Sequence, residues 1–398
     1  MAELFRLLFN SIGWILVAAA APGSLELAML TIGGLLPARR RPQQHGPLPR
    51  TAVVVPAHNE EAGIARTIAS IRADIGGDLD VELVVIADNC TDRTAERASQ
   101  GGTRVLVRKD ANLRGKGHAV YFAFGQLLQE NFQAFVVIDA DTQVQPGAIR
   151  AIRTRLAAGA DAVQCRYLVA NADASIRTRL MNLALLAFNV MRPRGRDRWG
   201  FSVGIFGNGF ALSRNTLEAV PYRAESVVED LEYHLRLVRA GRKVRFADEA
   251  TVLGDMPEGG RGAKTQRARW DGGRFRMIAE WSLPLLREVL SGRLRLLEPL
   301  LELWLLPLAF HVSLLVGALV LPNPAIRAAA LFQLGIVFVH VVASALCCGG
   351  GFKSLFALLA VPFYVLWKIA LLGTMFRTAR RSAEWVRTSR ERLDGGKA

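Results

Sequence analysis

The stretch that decides the fold is Ala134-Phe-Val-Val-Ile-Asp-Ala-Asp-Thr142. It begins with an uninterrupted apolar run typical of a buried strand, and Asp139 and Asp141 follow that run directly. In an open α/β sheet, ligands bind at the carboxyl ends of the strands. Two carboxylates there suit a divalent cation, Mg²⁺ or Mn²⁺, shared with the phosphates of a nucleotide. The alternative is a solvated turn, where aspartate is also common.

Apolar strands and amphipathic helices alternate on both sides of this stretch. The predicted strands are Thr51–Val55, Val81–Ile86, Arg104–Val107, Ala134–Ile138 and Ala162–Arg166. The predicted helices are Glu60–Ile71, Asp92–Ser99, Lys116–Gln129 and Leu231–Ala240. This alternation requires parallel crossover connections, so the predicted fold class is α/β with helices on both faces of the sheet.

The chain has 398 residues, of which 51% are hydrophobic, and the apolar excess lies at the two ends. Four segments approach the length of about 20 residues that a membrane-spanning helix requires. They are Leu4–Leu36, Leu300–Leu321, Ala325–Cys347 and Leu355–Phe376. The first is interpreted as an uncleaved anchor rather than a signal peptide, because its apolar run is long and Arg39–Arg41 follow it. Pro307 and His311 make Leu300–Leu321 the weakest span.

These features divide the chain into five predicted parts. They are a transmembrane anchor (1–37), a cytoplasmic nucleotide-binding domain (51–260), a segment with Gln266-x-x-Arg269-Trp270 and an amphipathic interfacial helix (261–298), C-terminal transmembrane helices (299–377) and a basic tail (378–398). The interfacial helix is predicted over Arg274–Leu297, and Asn182–Val190 is either a second interfacial segment or an ordinary core helix.

The net charge of +15 does not indicate nucleic-acid binding, because the Lys and Arg residues cluster beside the apolar segments. That distribution is typical of cytoplasmic flanks of a lipid bilayer. An anchor and three further spans would place the basic tail outside the cell, against the positive-inside tendency. Either one C-terminal segment is re-entrant or interfacial, or the tail departs from that tendency, and we expect a cytoplasmic tail. Four cysteines, two of them adjacent at Cys347 and Cys348, indicate neither a disulfide framework nor a zinc site.

Four further polar groups stand where a nucleotide site would need them. They are Val55-Pro-Ala-His-Asn-Glu-Glu61, Asp88-Asn-Cys-Thr-Asp92, Val228-Glu-Asp-Leu231 and Gln266-Arg-Ala-Arg-Trp270. Asp88 either accepts hydrogen bonds from a base or ribose or caps a helix. The Glu229-Asp230 pair supplies a general base or merely favours a helix N-terminus. Arg269 and Trp270 suit a diphosphate and a sugar ring, or belong to a basic interfacial helix.

In their order and spacing, these motifs resemble the family 2 glycosyltransferases. The matching set is Pro56-x-x-Asn59-Glu60, Asp88, Asp139-x-Asp141, Glu229-Asp230 and Gln266-x-x-Arg269-Trp270, and the resemblance covers about Thr51 to Trp270. It is closest to the membrane-embedded, processive branch that includes cellulose, chitin and hyaluronan synthases. The resemblance implies a GT-A-type, Rossmann-like nucleotide-sugar-binding domain and inversion of configuration at the sugar.

The resemblance also implies a role for each matched position. The implied donor-binding residues are Pro56, Ala57, Asn59, Glu60, Asp88, Lys116, Asp139, Gln266, Arg269 and Trp270; the acceptor-binding residues are Gly207, Asn208, Gly209 and Trp270. Asp141, with Asp139, would hold Mg²⁺ or Mn²⁺, and Asp230 would be the catalytic base beside Glu229. Where many relatives carry paired aspartates before Gly-Ser, this sequence has Ala87-Asp88-Asn89-Cys90, so the resemblance does not specify the base of the nucleotide.

The predicted function is an inverting, metal-dependent glycosyltransferase in the inner or plasma membrane, with its catalytic domain in the cytoplasm. It would move a sugar from a nucleotide sugar to a growing polysaccharide or oligosaccharide. The expected donor is UDP-linked, and an export subunit is a further candidate partner. One alternative is transfer of a single sugar to a lipid such as polyprenyl phosphate or diacylglycerol. A remote alternative is a transporter or scaffold with a degenerate nucleotide domain, but the expected carboxylates are all present.

Overall fold

The structure, a computed structural model, describes residues 1–37, 46–223, 226, 228–258 and 260–378. Arg39–Arg41 and the predicted basic tail beyond Thr378 lie outside the described residues.

The strands are β1 (Thr51–Ala57), β2 (Val81–Asp88), β3 (Arg104–Arg108), β4 (Ala134–Val137), β5 (Thr142–Val144), β6 (Ala162–Val169), β7 (Phe210–Ser213) and β8 (Val244–Gly254). The helices of the first half are α1 (Ala2–Leu35), α2 (Ile64–Ile75), α3 (Thr94–Ser99), α4 (Lys116–Leu127), α5 (Ala148–Ala157), α6 (Ile176–Leu186) and α7 (Arg192–Trp199). Those of the second half are α8 (Arg214–Ala219), α9 (Glu229–Arg239), α10 (Gly260–Leu290), α11 (Leu297–Trp304), α12 (Leu308–Leu319), α13 (Pro324–Cys347), α14 (Val361–Ala370) and α15 (Leu372–Thr378). Short 3₁₀ segments occur at Ala172–Ala174, Leu294–Leu296 and Phe352–Ala360, and a π-helical turn, Ala187–Met191, joins α6 to α7.

All eight strands form one sheet in the order β3-β2-β1-β4-β7-β6-β8-β5. The first four strands of that order are parallel, as predicted. The sheet is nevertheless mixed, because β7 runs antiparallel to both β4 and β6. Sequence analysis missed β5, β7 and β8, since β5 and β7 are very short and β8 carries charged residues between its apolar ones.

The central strands β1, β2 and β4 are largely buried on both faces, as a parallel sheet covered by helices requires, whereas the edge strand β3 is half-buried. Val54 and Phe135 belong to the apolar layer that includes α4 residues, whereas Val53 and Val136 belong to the layer that includes α2 and α5 residues. Alternate residues of each strand therefore fill two separate cores.

Three described helical segments are long and apolar enough to cross a membrane: Glu3–Leu35, Pro324–Cys347 and Phe352–Ala370. The fourth predicted span, Leu300–Leu321, is not straight, because α11 and α12 meet at an angle of 74°. The break lies just before α12, whose N-cap is Pro307, and proline cannot continue a helical hydrogen-bond ladder. This geometry fits the alternative in which one C-terminal segment is re-entrant or interfacial.

The predicted interfacial helix is part of a longer element. α10 begins at Gly260, so it carries both the Gln266-x-x-Arg269-Trp270 motif and most of the amphipathic stretch. On its apolar side, Leu285 and Val289 pack against Leu235 of α9 and Leu300 of α11 rather than facing a bilayer. Asn182–Val190 also lies in the protein interior, with Leu186 and Val190 in the main core, so the core-helix alternative describes it.

The anchor helix α1 is in close contact with α7. Trp199 donates an indole hydrogen bond to the carbonyl of Met29 at 3.0 Å. Gly195 lies directly against the backbone of Leu30, and a Cβ at that position would overlap the Leu30 carbonyl oxygen. The α1–α7 contact is therefore a backbone-to-backbone approach that only a glycine permits.

Gly195→Ala is expected to lower the free energy of unfolding by about 1–3 kcal/mol, the usual cost of forcing a methyl group into a filled interface. Thermal unfolding of the detergent-purified protein would measure this. Gly125→Ala is the matched control, because Gly125 lies within α4 and has open space around its Cα. Equal loss of stability in both variants would contradict the close approach.

Candidate active site

One cavity of about 1210 Å³ lies at the carboxyl edge of β1, β2 and β4. The predicted site residues that line it are Pro56, Ala57, Glu60, Asp88, Lys116, Asp139, Asp141, Gly207, Glu229, Asp230, Gln266, Arg269 and Trp270. The fold thus brings residues from distant parts of the chain to one edge of the sheet. Asn59, Asn208 and Gly209 are not in the cavity wall.

Asn59 shapes a loop, as does Asn89. Both have left-handed backbone conformations, with φ of 54° and 51°, at the ends of β1 and β2. The Asn59 side-chain oxygen accepts a hydrogen bond from the Thr91 amide at 2.8 Å, and that of Asn89 accepts one from the Asp110 amide at 2.8 Å. Asparagine tolerates this conformation better than most residues, so these side chains hold the loops that border the cavity.

Asp88 is buried and already has a charged partner. Its Oδ1 lies 2.6 Å from Nη1 of Arg108, a residue that sequence analysis did not single out. Asp88 does not cap α3, because the Thr94 amide donates to Asp92 Oδ1 at 3.0 Å. The N-cap position of α3 is Arg93, so the capping alternative does not describe Asp88, which lies in the cavity wall.

Lys116 connects three of the predicted motifs. Its ammonium donates to the Asp139 carboxylate and to the backbone carbonyl of Gly207. Burial works against the charge of Lys116, but Asp139, Glu229 and Asp230 hold its pKa above the ordinary value. The lysine is therefore a fixed positive charge among the carboxylates of the cavity.

Gly207 lies close to the Asp230 carboxylate. Its φ of +79° is in the left-handed range, and a Cβ would lie only 3.2 Å from Asp230 Oδ2. The next residue, Asn208, is fully buried; its side-chain oxygen accepts from the Asp139 amide at 3.1 Å, and its side-chain nitrogen donates to Thr142 Oγ1 at 2.7 Å. Asn208 thus positions the Asp139 backbone and does not face an acceptor.

Glu229 and Asp230 open α9 beside this glycine. Asp230 Oδ1 accepts a hydrogen bond from the Leu231 amide at 2.8 Å. Burial and then the neighbouring Asp230 raise the pKa of Glu229 to about 7, whereas Lys116 and Arg269 act in the opposite direction. Burial also raises the pKa of Asp230. Carboxylates with raised pKa in a cavity are typical of general bases, and a helix N-terminus alone does not explain their burial.

Glu229→Gln is expected to weaken the pH dependence of stability. The folded chain holds the Glu229 proton more tightly than the unfolded chain, so this group's contribution falls as pH rises from 4.5 to about 7. With glutamine at this position, the loss in the free energy of unfolding between pH 4.5 and about 7 should be smaller by on the order of 1–3 kcal/mol. Thermal unfolding on either side of the interval would measure it, with the exposed Glu218→Gln as control. An unchanged pH dependence would contradict the raised pKa of Glu229.

The α10 motif supplies the opposite wall of the cavity. Gln266, Arg269 and Trp270 all face it, and the positive charge of Arg269 acts on Glu229. The Arg267 guanidinium lies over the Trp270 ring, 5.5 Å from its centroid. This wall can therefore offer a guanidinium to an anion and an indole to an apolar or sugar surface.

The two aspartates of the Asp139-Ala-Asp141 motif are both in the cavity wall. Asp139 is paired with Lys116, and the Thr142 hydroxyl donates to Asp141 Oδ1 at 3.4 Å. Among the described residues there is no group of three or more His, Cys, Asp and Glu side chains that could hold a metal ion. This donor set fits a hard cation that takes its other ligands from substrate phosphates and water.

The far part of the cavity wall is apolar, which sequence analysis did not anticipate. Its side chains come from α11 to α14 and from the residues that connect them: Leu305, Leu306, Leu308, Val312, Leu334, Val337, Val341, Leu358, Val361 and Val365. Lys368 of α14 also faces the cavity and pairs with Asp271 of α10 at 3.1 Å. A lysine within an apolar span was a signal for this site, because such groups are rarely placed there without a function.

Comparisons with known proteins agree with this architecture. Residues 49–273 match the family model "Glycosyltransferase like family 2". The chain is 28% identical over 232 residues to "Probable glycosyltransferase YdaM" of Bacillus subtilis, covering 56% of this chain and 54% of that protein. It is 28% identical over 282 residues to a beta-monoglucosyldiacylglycerol synthase of a Synechocystis species, covering 66% and 57% respectively. The chain thus spans little more than half the length of these two relatives.

A solved structure has a similar fold. The mannosyltransferase PcManGT from Pyrobaculum calidifontis, in complex with GDP-Man and Mn²⁺, aligns with a TM-score of 0.58 over 93% of this chain and 97% of that chain, at 18% identity. This confirms the predicted GT-A-type fold, although the sheet is mixed rather than wholly parallel. Because the family model covers more than half of the 398 residues, and because its motifs meet in one cavity, the chain belongs to the family 2 glycosyltransferases.

Proposed function

We propose that this protein transfers a single sugar from a nucleotide sugar to a membrane lipid, with inversion at the anomeric carbon. The observation that carries this proposal is the continuity of the cavity. One part is lined by the carboxylates and cations of the sheet edge, and the other by aliphatic side chains of the apolar helices. A molecule that fills both parts must be polar at one end and hydrocarbon at the other.

The polar part suits a nucleoside diphosphate sugar. In this proposal Pro56, Ala57 and Asp88 border the nucleoside, and Lys116 and Arg269 face the diphosphate. Asp139 and Asp141 would hold Mg²⁺ or Mn²⁺, which when bound supplies positive charge to the diphosphate leaving group. The neighbour PcManGT was crystallised with Mn²⁺, which supports a divalent cation without deciding between the two.

The acceptor hydroxyl would be activated by Asp230. Its carboxylate, in the first turn of α9, lies beside Gly207 in the cavity wall. Its raised pKa favours proton uptake. The acceptor oxygen attacks the anomeric carbon from the face opposite the diphosphate, the bond to the diphosphate breaks, and the acceptor proton moves to Asp230. No enzyme-bound sugar is needed. Cys165 is buried with its thiol pKa raised to about 12, which fits a structural role.

A lipid acceptor is favoured over a polysaccharide by the character of the far wall. A polymer of sugars would be bound by polar and aromatic groups, whereas the side chains from α11 to α14 here are mainly aliphatic. The relatives include beta-monoglucosyldiacylglycerol synthases, which fits this proposal. Processive polysaccharide synthesis remains the second candidate, because the Gln266-x-x-Arg269-Trp270 motif of that branch is present in the wall. That candidate would also need a route for export, such as a partner subunit.

Product analysis tests the proposal. The detergent-purified protein would be incubated with a panel of labelled UDP- and GDP-sugars, divalent cation and membrane lipid extract. We expect one donor to give a chloroform-soluble product that carries one sugar by mass spectrometry. A ladder of water-soluble products would instead establish the polysaccharide candidate, and no transfer from any donor would contradict both. Asp173→Asn, on a highly exposed side chain, is the activity control for site variants.

A further inference from the structure

Arg192, at the start of α7, is a buried cation in the cavity wall. Arg192 is only 5% exposed, and it lines the cavity. Within the part of the chain that the structure describes, its Nε has no hydrogen-bond partner and no carboxylate lies at salt-bridge distance. Its one close neighbour of note is the Phe188 ring, whose centroid is 5.1 Å from Cζ. A buried charge in such a position is costly unless an anion joins it.

The nearby carboxylates form their salt bridges with a different arginine. Glu26 and Glu302 act on the charge of Arg192 from a distance, and Glu26 and Glu298 each keep one oxygen without a hydrogen-bond partner among the described residues. Arg196, one turn along α7, forms salt bridges with all three nearby glutamates: Glu26 at 2.7 Å, Glu298 at 2.6 Å and Glu302 at 3.2 Å. Arg274 of α10 donates only to the backbone carbonyl of Glu302, and among described residues its Nε also lacks a partner. Arg274 faces the same cavity. Two arginines of this cluster thus line the cavity without a salt bridge to any carboxylate that the structure describes.

Two aromatic rings connect Arg192 to the neighbourhood of Asp230. Phe188, which lies under Arg192, has its centroid 5.6 Å from that of Phe206, and both rings line the cavity. Phe206 directly precedes Gly207, the residue that abuts Asp230. Flat apolar rings of this kind are surfaces on which a sugar ring or a headgroup can stack.

We propose that Arg192, assisted by Arg274, binds a phosphate group of the lipid acceptor, with the Phe188 and Phe206 rings connecting this phosphate position to the reacting hydroxyl at Asp230. This rests on the proposed function and narrows it. The acceptor would be a lipid phosphate ester that carries its hydroxyl on a headgroup or sugar beyond the phosphate, rather than a neutral lipid such as diacylglycerol. Guanidinium groups bind phosphate oxygens through paired, charge-assisted hydrogen bonds, which suits this position.

Binding without a donor tests this inference separately from catalysis. Titration calorimetry would use the full chain in detergent and three short-chain probes: dihexanoyl phosphatidylglycerol, a farnesyl-diphosphate-linked sugar and neutral dihexanoylglycerol. We expect at least one phosphate probe to bind more tightly than the neutral probe. Which of the two phosphate probes binds identifies the source of the phosphate. Arg192→Gln should lower the affinity for that phosphate probe by about 10–100-fold and change the affinity for the neutral probe by no more than about twofold.

Two further variants separate phosphate binding from a structural role. Arg192→Lys keeps the charge but loses the paired geometry, so it should recover part of the affinity. Glu26→Gln removes a negative charge from the same cluster and should leave phosphate binding unchanged or tighten it. Equal loss for phosphate and neutral probes, or equal loss in Glu26→Gln and Arg192→Gln, would overturn the inference. Lipid glycosylation without a preference for phosphate probes would refute the inference while leaving the proposed function intact. Phosphate binding without any sugar transfer would support the inference and contradict the proposed function.

Discussion

Asp230→Asn is expected to lower kcat by about 10²–10⁴-fold, the usual contribution of a general base. The amide has nearly the same size, and its side-chain oxygen can still accept the Leu231 amide hydrogen bond, so the fold of α9 should persist. What is lost is the group that takes the acceptor proton. Release of nucleoside diphosphate in the presence of lipid acceptor, measured with the active donor, would report the loss.

The affinity for the donor distinguishes loss of a base from loss of the site. Asp230 should not contribute to the donor affinity, so nucleotide binding to Asp230→Asn should stay within a few-fold of that of the parent protein. The exposed Asp173→Asn variant should retain full activity. Normal turnover in Asp230→Asn would mean that another group accepts the proton, and Glu229 would then be the first candidate.

Lys116→Met is expected to lower kcat/KM by about 10²–10³-fold, the scale reported for removal of one preorganised stabilising group. The change removes the cation that bonds to Asp139 and to the Gly207 carbonyl. It should also change the pH profile. Lys116 lowers the pKa of both Glu229 and Asp230, so its removal raises them. The acid limb of the kcat/KM profile should therefore move to higher pH.

The matched control is Lys109→Met, on an exposed lysine just after β3, which should change neither the rate nor the profile. A fall in rate with an unmoved acid limb would show that Lys116 only binds the donor. An unchanged rate would contradict the place of Lys116 at the centre of the site.

Sequence patterns predicted the parallel half of the sheet because its strands are continuous apolar runs. They also predicted the cavity, since the residues that follow such strands must meet at one edge. The helix starts were less accurate: α2 begins at Ile64 rather than Glu60. The Glu60 amide donates a hydrogen bond to Thr94 Oγ1 at 2.8 Å. Because Thr94 lies 34 residues further along the chain, no local sequence pattern reveals this bond.

The rest depends on contacts between residues far apart in the chain. Arg108 could not be chosen from sequence, because its pairing with Asp88 requires β3 to lie beside β2. The role of Asn208 likewise depends on β7 running antiparallel to β4. The apolar part of the cavity forms where several helices converge, and each of their sequences resembles an ordinary span. The processive branch suggested by the α10 motif stays a prediction.

Under the proposed function, the close contact of α1 with α7 would also bear on which lipids can react. Gly195 packs against the Leu30 backbone, so α1 and α7 cannot separate without losing this contact. With α1 in a bilayer, the carboxylates of Glu229 and Asp230 would then stay at a constant depth. An acceptor must then bring its reacting oxygen to that depth while its chains stay among lipids. The enzyme would therefore select acceptors by the distance between their hydrocarbon chains and their reacting hydroxyl, as well as by the chemistry of the headgroup.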